Sequence, residues 1–327
     1  MGAHEDMLVT KVCELYDKIS KLESLSPSPE VNTLFTQLVS ICTPPSSIDV
    51  SKLSPKVQEI RAKLIRLCGE AEGLLEAHFS SILASFESPM DHLHIFPYNS
   101  NYLKLSRLEF NILSQYTSKT PKSLAFVGSG PLPLTSITLA LNHLKFTNFH
   151  NYDIDTGANS MALGLVSSHP DLSKRMFFHN ANIMDVSHRL RDYDVVFLAA
   201  LVGMSTREKA KVVKHLAKHM APGALLMLRS AHGSRAFLYP VVEPEEVHGF
   251  DVLSVYHPTD DVINSVMVAR KHWTEPGPGL MPVDTSGLMA IDQGLSPIIL
   301  LNKCSEVQGF NPLGSMMEEI AVEEQAS

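Results

Sequence analysis

The feature that most constrains the fold is a strand, a glycine turn, a helix and a second strand in direct succession. Residues 123–127 form a short apolar run that ends at the glycine turn of 128–131, and 137–144 has the period of an amphipathic helix. A second apolar run, 146–152, ends at Asp153. In a βαβ unit such a turn lets the backbone approach a nucleoside, and an acidic residue at the tip of the second strand accepts hydrogen bonds from ribose hydroxyls. The stretch therefore predicts a ribose-binding crevice.

A proline in this stretch indicates which nucleoside the crevice takes. Pro133 stands where a dinucleotide fingerprint has its third glycine, which argues against a pyrophosphate packed on the helix N-terminus. A nicotinamide cofactor is therefore disfavoured, and a nucleoside without phosphates, such as S-adenosylmethionine, is favoured. Gly-x-Gly by itself is a weak signal, so a plain strand–turn–helix whose glycines only form the turn remains the alternative.

The composition indicates a globular protein without a nucleic acid or membrane partner. The 327 residues are 44% hydrophobic and 19% charged, and the net charge of −8 leaves no basic footprint for nucleic acid or an anionic membrane. Cys13, Cys42, Cys68 and Cys304 are scattered, which is typical of reduced intracellular thiols. The first residues carry acids where a signal peptide has bases, and the longest apolar run, 195–204, is too short to span a bilayer. We expect a cytoplasmic protein, of an oligomeric state that the sequence does not indicate.

The chain divides into three parts by pattern. Apolar residues recur at steps of three and four through residues 1–118, with proline-rich breaks, which predicts a helical N-terminal domain. Residues 119–273 alternate strands and helices, whereas 274–327 show no sustained period, which is typical of a flexible tail. The predicted fold class is α/β, a Rossmann-like sheet of the S-adenosylmethionine-dependent transferase type preceded by an all-α helical-bundle domain.

Ligands of an open parallel sheet bind outside the carboxyl ends of its strands. Further strands are predicted at 176–182, 192–201 and 224–228, with an edge hairpin of 251–257 and 262–269. The strand ends then gather the residues that we expect to contact S-adenosylmethionine, namely Gly128, Ser129, Gly130, Pro131, Asp153, Ile154, Asp155, Asn182 and Ala199.

Their chemistry suggests separate roles within the pocket. The backbone at Gly128 and Gly130 approaches the ligand, Asp153 binds the ribose, and Ile154 packs on the adenine face. Asn182 either meets the adenine edge or caps the following turn. Both options remain open.

The helical part is expected to supply the reactive groups, because the sheet offers no clear general base. Residues 88–102 are irregular and rich in proline, histidine, tyrosine and asparagine, which is typical of a segment that lines a site. Glu72 and Glu76 are four apart on the preceding helix and share one face, although surface carboxylates are the commoner explanation. His92 and His94 lack zinc spacing and a third ligand, so no metal site is predicted.

Three long runs resemble the plant nicotianamine synthase family. They are His-Ile-Phe-Pro-Tyr-Asn-Ser-Asn-Tyr at 94–102, Phe-Val-Gly-Ser-Gly-Pro-Leu-Pro-Leu-Thr-Ser at 126–136 and Asn-Tyr-Asp-Ile-Asp at 151–155, and the resemblance extends over residues 1 to about 272. It implies transfer of 3-amino-3-carboxypropyl groups from three S-adenosylmethionine molecules, with release of three S-methyl-5'-thioadenosines. The implied product, nicotianamine, contains one azetidine ring and chelates iron, zinc and copper, which implies a role in iron homeostasis. The resemblance implies no cofactor and no metal beyond this substrate.

The resemblance also implies a catalytic glutamate on the helix before the irregular segment and a tyrosine within the segment. The best matching positions are Glu76 as the base and Tyr102 as the group that orients the amine or carboxylate, with Glu72 and Tyr98 as second choices. Such a base fits the chemistry, because an α-amine must lose its proton before it attacks a sulfonium carbon. The runner-up function is a small-molecule methyltransferase with the same pocket. A dehydrogenase and a metal-chelate-binding protein are less favoured alternatives.

Overall fold

The computed structural model describes residues 3–273. These residues form one compact unit with a mixed seven-stranded sheet. The predicted tail, 274–327, lies outside the described residues. No helix in the described part of the chain combines the length and the apolar character that a membrane crossing requires.

Helices make up most of the chain before the sheet. They are α1 (Ala3–Ile19), α2 (Pro29–Cys42), α3 (Pro55–Ala84) and α4 (Asn99–Tyr116). The proline-rich break predicted at 26–29 is the start of α2, whereas the break predicted at 44–45 lies between α2 and α3. At the starts of α2 and α3, Ser28 and Ser54 each accept a hydrogen bond from a backbone N–H of the first turn, and a proline follows each serine. The irregular segment contains a 3₁₀ helix at Pro89–Ile95, and α4 begins at Asn99, three residues earlier than the start we predicted at Tyr102.

The sheet has the layout that the sequence pattern predicts. Its strands are β1 (Ser123–Val127), β2 (Asn148–Asp153), β3 (Met176–Asn180), β4 (Val195–Leu198), β5 (Leu225–Ser230), β6 (Phe250–Tyr256) and β7 (Ser265–Lys271). The spatial order is β3-β2-β1-β4-β5-β7-β6, and β7 runs antiparallel to both of its neighbours while the first five strands are parallel. The order reverses between β1 and β4, so a ligand-binding crevice is expected at their carboxyl ends.

The remaining helices cover the two faces of the sheet. They are α5 (Leu134–Asn142), α6 (Thr156–Ser167), α7 (Leu172–Arg175) and α8 (Thr206–His219). The predicted amphipathic helix at 137–144 is wrong in start and in character: α5 starts at Leu134, and all of 134–140 is buried. The reason is that α4 packs over α5, so that α5 is covered by the sheet on one side and by another helix on the other.

The helices before the sheet are packed into the same core as the sheet. Phe79 and Leu83 of α3 and Leu113 of α4 share an apolar cluster with Phe126 and Phe197 of the sheet. A second cluster joins α1 to α3 with Phe237, which follows β5. The helical part therefore covers one face and one end of the sheet, and the boundary at 118/119 stays a prediction.

Candidate functional site

A cavity of about 1050 Å³ lies at the strand ends where the sheet order reverses. Its outer part is walled by the glycine turn after β1 and by the ends of β2 and β4, and its inner part is walled by α3 and α4. Twelve predicted site residues line it: Glu72, Glu76, Tyr102, Gly128, Ser129, Gly130, Pro131, Asp153, Ile154, Asp155, Asn182 and Ala199. Tyr98, a second choice, is not among the lining residues and packs edge-on against Phe96 instead.

The glycine turn lies in close contact with the carboxylate of Glu76. Gly130 has a φ of +66°, and a Cβ atom at this position would lie 2.6 Å from Oε2 of Glu76. Gly128 has a φ of +81° and a Cβ there would overlap the Val202 side chain. Only glycine combines this backbone conformation with so little space, which explains the Gly-x-Gly spacing without a phosphate. The turn therefore brings Glu76 of α3 to the end of β1.

Asp153 fixes the outer wall of the cavity. One of its carboxylate oxygens accepts a hydrogen bond from the Gly130 amide at 2.9 Å, and the other accepts one from the Asp155 amide at 3.0 Å. Asp155 in turn caps α6, since its side chain accepts from the amide of Gly157 at 2.7 Å. Ile154 lies between them and is 74% exposed, so its side chain stands free at the cavity rim. This is the place at which a ribose and an adenine face are predicted to bind.

The two remaining outer residues lie on short loops after β3 and β4. Oδ1 of Asn182 accepts a hydrogen bond from the Met184 amide at 3.0 Å, so the capping option that the sequence left open is present in the structure. Its contact with the adenine edge stays a prediction. Ala199 is held by Lys209, whose buried amine donates to the carbonyls of Ala199 at 3.1 Å and Ala200 at 2.8 Å. Burial lowers the pKa of Lys209 to about 7.

A pair of carboxylates occupies the inner part of the cavity. Glu76 is only 9% exposed, and Glu72 one turn earlier on α3 is partly buried. The hydroxyl of Tyr102 donates to Glu76 at 3.0 Å and also lies 3.3 Å from Glu72. Tyr239 donates to the second oxygen of Glu72 at 2.9 Å. The predicted base and the predicted tyrosine are therefore in direct contact. Of the two second-choice positions, Glu72 also contacts Tyr102 and lines the cavity, whereas Tyr98 does not line it, and the roles of all four residues stay predictions.

The carboxylate pair is electrostatically suited to take up a proton. Burial raises the pKa of Glu76 well above its usual value, and the neighbouring charges of Glu72 and Asp153 raise it further. Burial also raises the pKa of Glu72, while hydrogen bonds from Tyr239 and Tyr102 oppose the rise. Two adjacent buried carboxylates hold one proton readily and ionise fully only with difficulty. Such a pair can act as a general base towards an amine in the cavity.

Three residues of the inner wall were not predicted from the sequence: Arg229, Tyr239 and Asn264. The Arg229 guanidinium donates to both oxygens of the buried Glu109, at 2.7 and 2.9 Å, and to the Thr135 hydroxyl at 2.8 Å. Arg229 follows the apolar run of β5, so the rule that ligands bind beyond strand ends could have identified it. No local signal marks Tyr239, which is brought in by the fold after β5.

One histidine of the irregular segment has a packing contact. The ring of His92 stacks on Phe86 with centroids 4.0 Å apart. Within residues 3–273, no group of three or more histidine, cysteine, aspartate or glutamate side chains is placed to hold a metal ion.

Comparison with known proteins identifies the family of the chain. The family described as "Nicotianamine synthase protein" matches residues 1–275. "Nicotianamine synthase" of Solanum lycopersicum is 61% identical over 321 residues, which cover 97% of this chain and 98% of that protein. "Nicotianamine synthase 3" of Arabidopsis thaliana is 64% identical over 275 residues, covering 83% of this chain and 86% of that protein.

A solved structure shares the fold. It is described as "Crystal Structure of MtNAS in complex with MTA and tNA", and it superposes with a TM-score of 0.69 at 18% identity over 83% of this chain and 99% of that chain. At this identity the likeness establishes the fold alone. The family match and the two plant relatives go further, and they show that the chain belongs to the nicotianamine synthase family.

Proposed function

We propose that this protein is a nicotianamine synthase, an aminocarboxypropyltransferase that joins three S-adenosylmethionine molecules into nicotianamine. The observation that carries the proposal is the buried pair Glu72 and Glu76, which contacts both the glycine turn and Tyr102 inside one cavity. A cavity of about 1050 Å³ has room for an adenosyl group at the sheet and for a second amino acid group against the helices.

The reaction requires control over which carbon of the sulfonium is attacked. Three carbons next to the sulfur are electrophilic, so the one held in line with the nucleophile reacts. With the adenosyl group over Asp153 and Ile154, the aminocarboxypropyl arm would extend towards α3 and α4. An acceptor amine beside Glu76 would then face the first carbon of that arm.

Each transfer is a displacement in which the protein handles one proton. The acceptor nitrogen forms a bond to the arm's first carbon, the carbon–sulfur bond breaks, and its electron pair stays on sulfur in S-methyl-5'-thioadenosine. We propose that Glu76 accepts the proton of the attacking amine and that Tyr102 orients the amine or its carboxylate. Two transfers between molecules and one ring closure release three S-methyl-5'-thioadenosines and leave one azetidine ring.

The wider roles of the protein are also proposals. Carboxylates and amines of nicotianamine suit chelation of iron, zinc and copper, so we propose a role in metal chelator biosynthesis and iron homeostasis. Free thiols at Cys13, Cys42 and Cys68 fit a cytoplasmic location. We also propose that residues 1–118 supply the base and that residues 119–273 supply the adenosyl site.

One incubation tests the proposed function. Purified protein is given S-adenosylmethionine as its only substrate, and products are identified by mass spectrometry. We expect S-methyl-5'-thioadenosine and nicotianamine in a three-to-one ratio. Formation of S-adenosylhomocysteine that depends on an added acceptor would instead establish the methyltransferase alternative.

A further inference from the structure

The inner end of the cavity contains hydrogen-bond donors that have no acceptor among residues 3–273. Nδ2 of Asn264 is buried without a hydrogen-bond partner, although the residue is 8% exposed and lines the cavity. Arg229 also lines the cavity, and its Nε and Nη2 atoms are bound to Glu109 and Thr135. Its Nη1 atom donates to none of the described residues. A buried donor without an acceptor lowers the stability of the folded protein. A ligand that accepts a hydrogen bond from this donor would explain why the donor is retained.

The pairing of β5 with β7 places these two residues on the same face of the sheet. Val266 lies opposite Arg229 in the antiparallel register. Asn264 directly precedes β7 and lies two residues before Val266, so the alternation of the strand continued by one residue brings it out on the face that carries Arg229, and both residues line the cavity. This is the face covered by α4, because Arg229 reaches Glu109 there. Two residues far apart in sequence are thus neighbours through the sheet register.

The donor set selects the chemistry of the ligand. A guanidinium edge and an amide N–H together match the oxygens of a carboxylate. The same wall contains the carboxylate pair of Glu72 and Glu76 and the phenol of Tyr239, which suit an amine but repel a further anion placed against them. An α-amino acid group satisfies both sets of side chains at once, because its carboxylate and its amine are only two bonds apart.

We propose that Arg229 and Asn264 form a subsite for the α-carboxylate of an aminocarboxypropyl group, and that this contact directs the adjacent amine towards Glu76. The inference rests on the proposed function and names the part of the substrate that the inner wall binds. The carboxylate belongs either to the S-adenosylmethionine donor or to the amino acid acceptor, and the two sources share the same chemistry.

Asn264 is the residue to change, because Arg229 cannot be replaced alone without leaving Glu109 buried and unpaired. Asn264→Ala removes the free donor, and Asn264→Asp places a carboxylate in its position. The control is Asn151→Ala, since Nδ2 of Asn151 is also buried without a partner among residues 3–273 and the residue itself does not line the cavity, although its Oδ1 accepts a hydrogen bond from Ser136 at 2.6 Å. Thermal unfolding of each variant is measured to check that the fold is retained.

Binding is measured by calorimetry with three probes that differ in the arm. They are S-adenosylmethionine, decarboxylated S-adenosylmethionine and S-methyl-5'-thioadenosine, which lacks the arm altogether. If the donor carboxylate occupies the subsite, Asn264→Ala weakens binding of S-adenosylmethionine about 10-fold and leaves the other two probes unchanged. Asn264→Asp weakens it further by charge repulsion, and Asn151→Ala binds all three like the wild type.

A second titration identifies the acceptor as the source. Protein saturated with S-methyl-5'-thioadenosine is titrated with azetidine-2-carboxylate and with azetidine. If the acceptor carboxylate occupies the subsite, Asn264→Ala weakens only azetidine-2-carboxylate, again by about 10-fold. Selective weakening in either titration supports the subsite and names its source.

The proposal is overturned if Asn264→Ala and Asn264→Asp bind every probe like the wild type, or weaken carboxylate-free and carboxylate-bearing probes equally. If this outcome is found and the wild type still makes nicotianamine, the carboxylate subsite is wrong and the proposed function stands. A wild type that makes no nicotianamine, with selective weakening still present, removes the proposed function and leaves the carboxylate subsite.

Discussion

Helices α3 and α4 each bury a glutamate side chain, but the two carboxylates have opposite electrostatic surroundings. Glu109 on α4 is fully buried, and both of its oxygens accept hydrogen bonds from Arg229. Glu76 on α3 is almost as deeply buried, yet its neighbours among residues 3–273 include the phenol of Tyr102, the glycine turn and another carboxylate, Glu72. One helix carries a paired charge, and the other carries a pair of like charges.

We propose that the difference separates a structural carboxylate, Glu109, from a reactive one, Glu76. A buried charge is costly unless a partner of opposite sign compensates it, and the compensation of Glu109 by Arg229 fixes α4 on the sheet. No cation among residues 3–273 forms an ion pair with Glu76, and its pKa rises through burial and through the charge of Glu72. A carboxylate in that state can exchange a proton with a substrate, whereas one locked to a guanidinium serves packing.

The largest effect is expected from Glu76→Gln. Because the variant keeps the shape of the side chain and loses its basicity, we expect binding of S-adenosylmethionine to be nearly intact while turnover falls by roughly two to four orders of magnitude. Steady-state release of S-methyl-5'-thioadenosine measures it. Glu59→Gln, on the exposed part of the same helix and paired with Lys63, is the matched control and should turn over like the wild type. Turnover of Glu76→Gln within a few-fold of wild type would show that the base is another group.

The next effect concerns stability at the other helix. Glu109→Gln leaves Arg229 buried without its counter-charge, so we expect the free energy of unfolding to fall by about 3–5 kcal/mol. Denaturant unfolding followed by circular dichroism measures the change. Glu109→Leu combined with Arg229→Met should recover part of the loss, because the uncompensated charge is gone. If the free energy of unfolding of Glu109→Gln fell by less than about 1 kcal/mol, the ion pair of Glu109 with Arg229 would not fix α4 on the sheet.

Asp153→Ala should have a smaller effect, on binding rather than on chemistry. The variant removes the acceptor for the Gly130 amide and the proposed ribose contact. We expect affinity for both S-adenosylmethionine and S-methyl-5'-thioadenosine to fall about 10- to 100-fold, with a smaller change in turnover at saturation. Calorimetry with the two ligands measures it. Unchanged affinity for S-methyl-5'-thioadenosine would contradict the placement of the adenosyl group at the ends of β1 and β2.

The smallest effect is a pH dependence of stability. The folded-state pKa values of Glu72 and Glu76 are raised, so protonation stabilises the folded protein. This contribution is fully present below the ordinary glutamate pKa, near 4.5, and is lost as the pH rises through the raised values. Denaturant unfolding across this range should show a slope that is flatter in Glu76→Gln. Equal slopes in the two proteins would indicate that Glu76 titrates alike in the folded and unfolded states.

Local patterns predicted the sheet, and the residues that they indicated at the strand ends line the outer cavity, where their ligand contacts stay predictions. The glycine turn, Asp153 and the edge hairpin are encoded by residues adjacent in sequence, and the structure places them as expected. The helical spacing of Glu72 and Glu76 showed that they share a face but not that this face points inward, because burial of a helix face depends on what packs against it. Only the family resemblance singled out Glu76.

Contacts over long sequence distances were beyond the sequence pattern. Arg229 meets Glu109 across 120 residues, and Tyr239 meets Glu72 across 167. The prediction for α5 failed for the same reason, since a helix covered by α4 as well as by the sheet has no exposed face to create an amphipathic period. Pairings of this kind follow from the assembled fold, whereas turns and strands follow from neighbouring residues.

The central claim is that the pair Glu72 and Glu76 holds a proton well above the ordinary glutamate pKa. Isotope-edited infrared spectroscopy of protein labelled at the glutamate carboxyl carbon tests this claim most directly. We predict a protonated-carboxyl band that persists at pH values well above the ordinary glutamate range and is absent from the Glu72→Gln/Glu76→Gln double variant. A band that disappears together with that of the surface glutamates, or that survives in the double variant, would contradict the account.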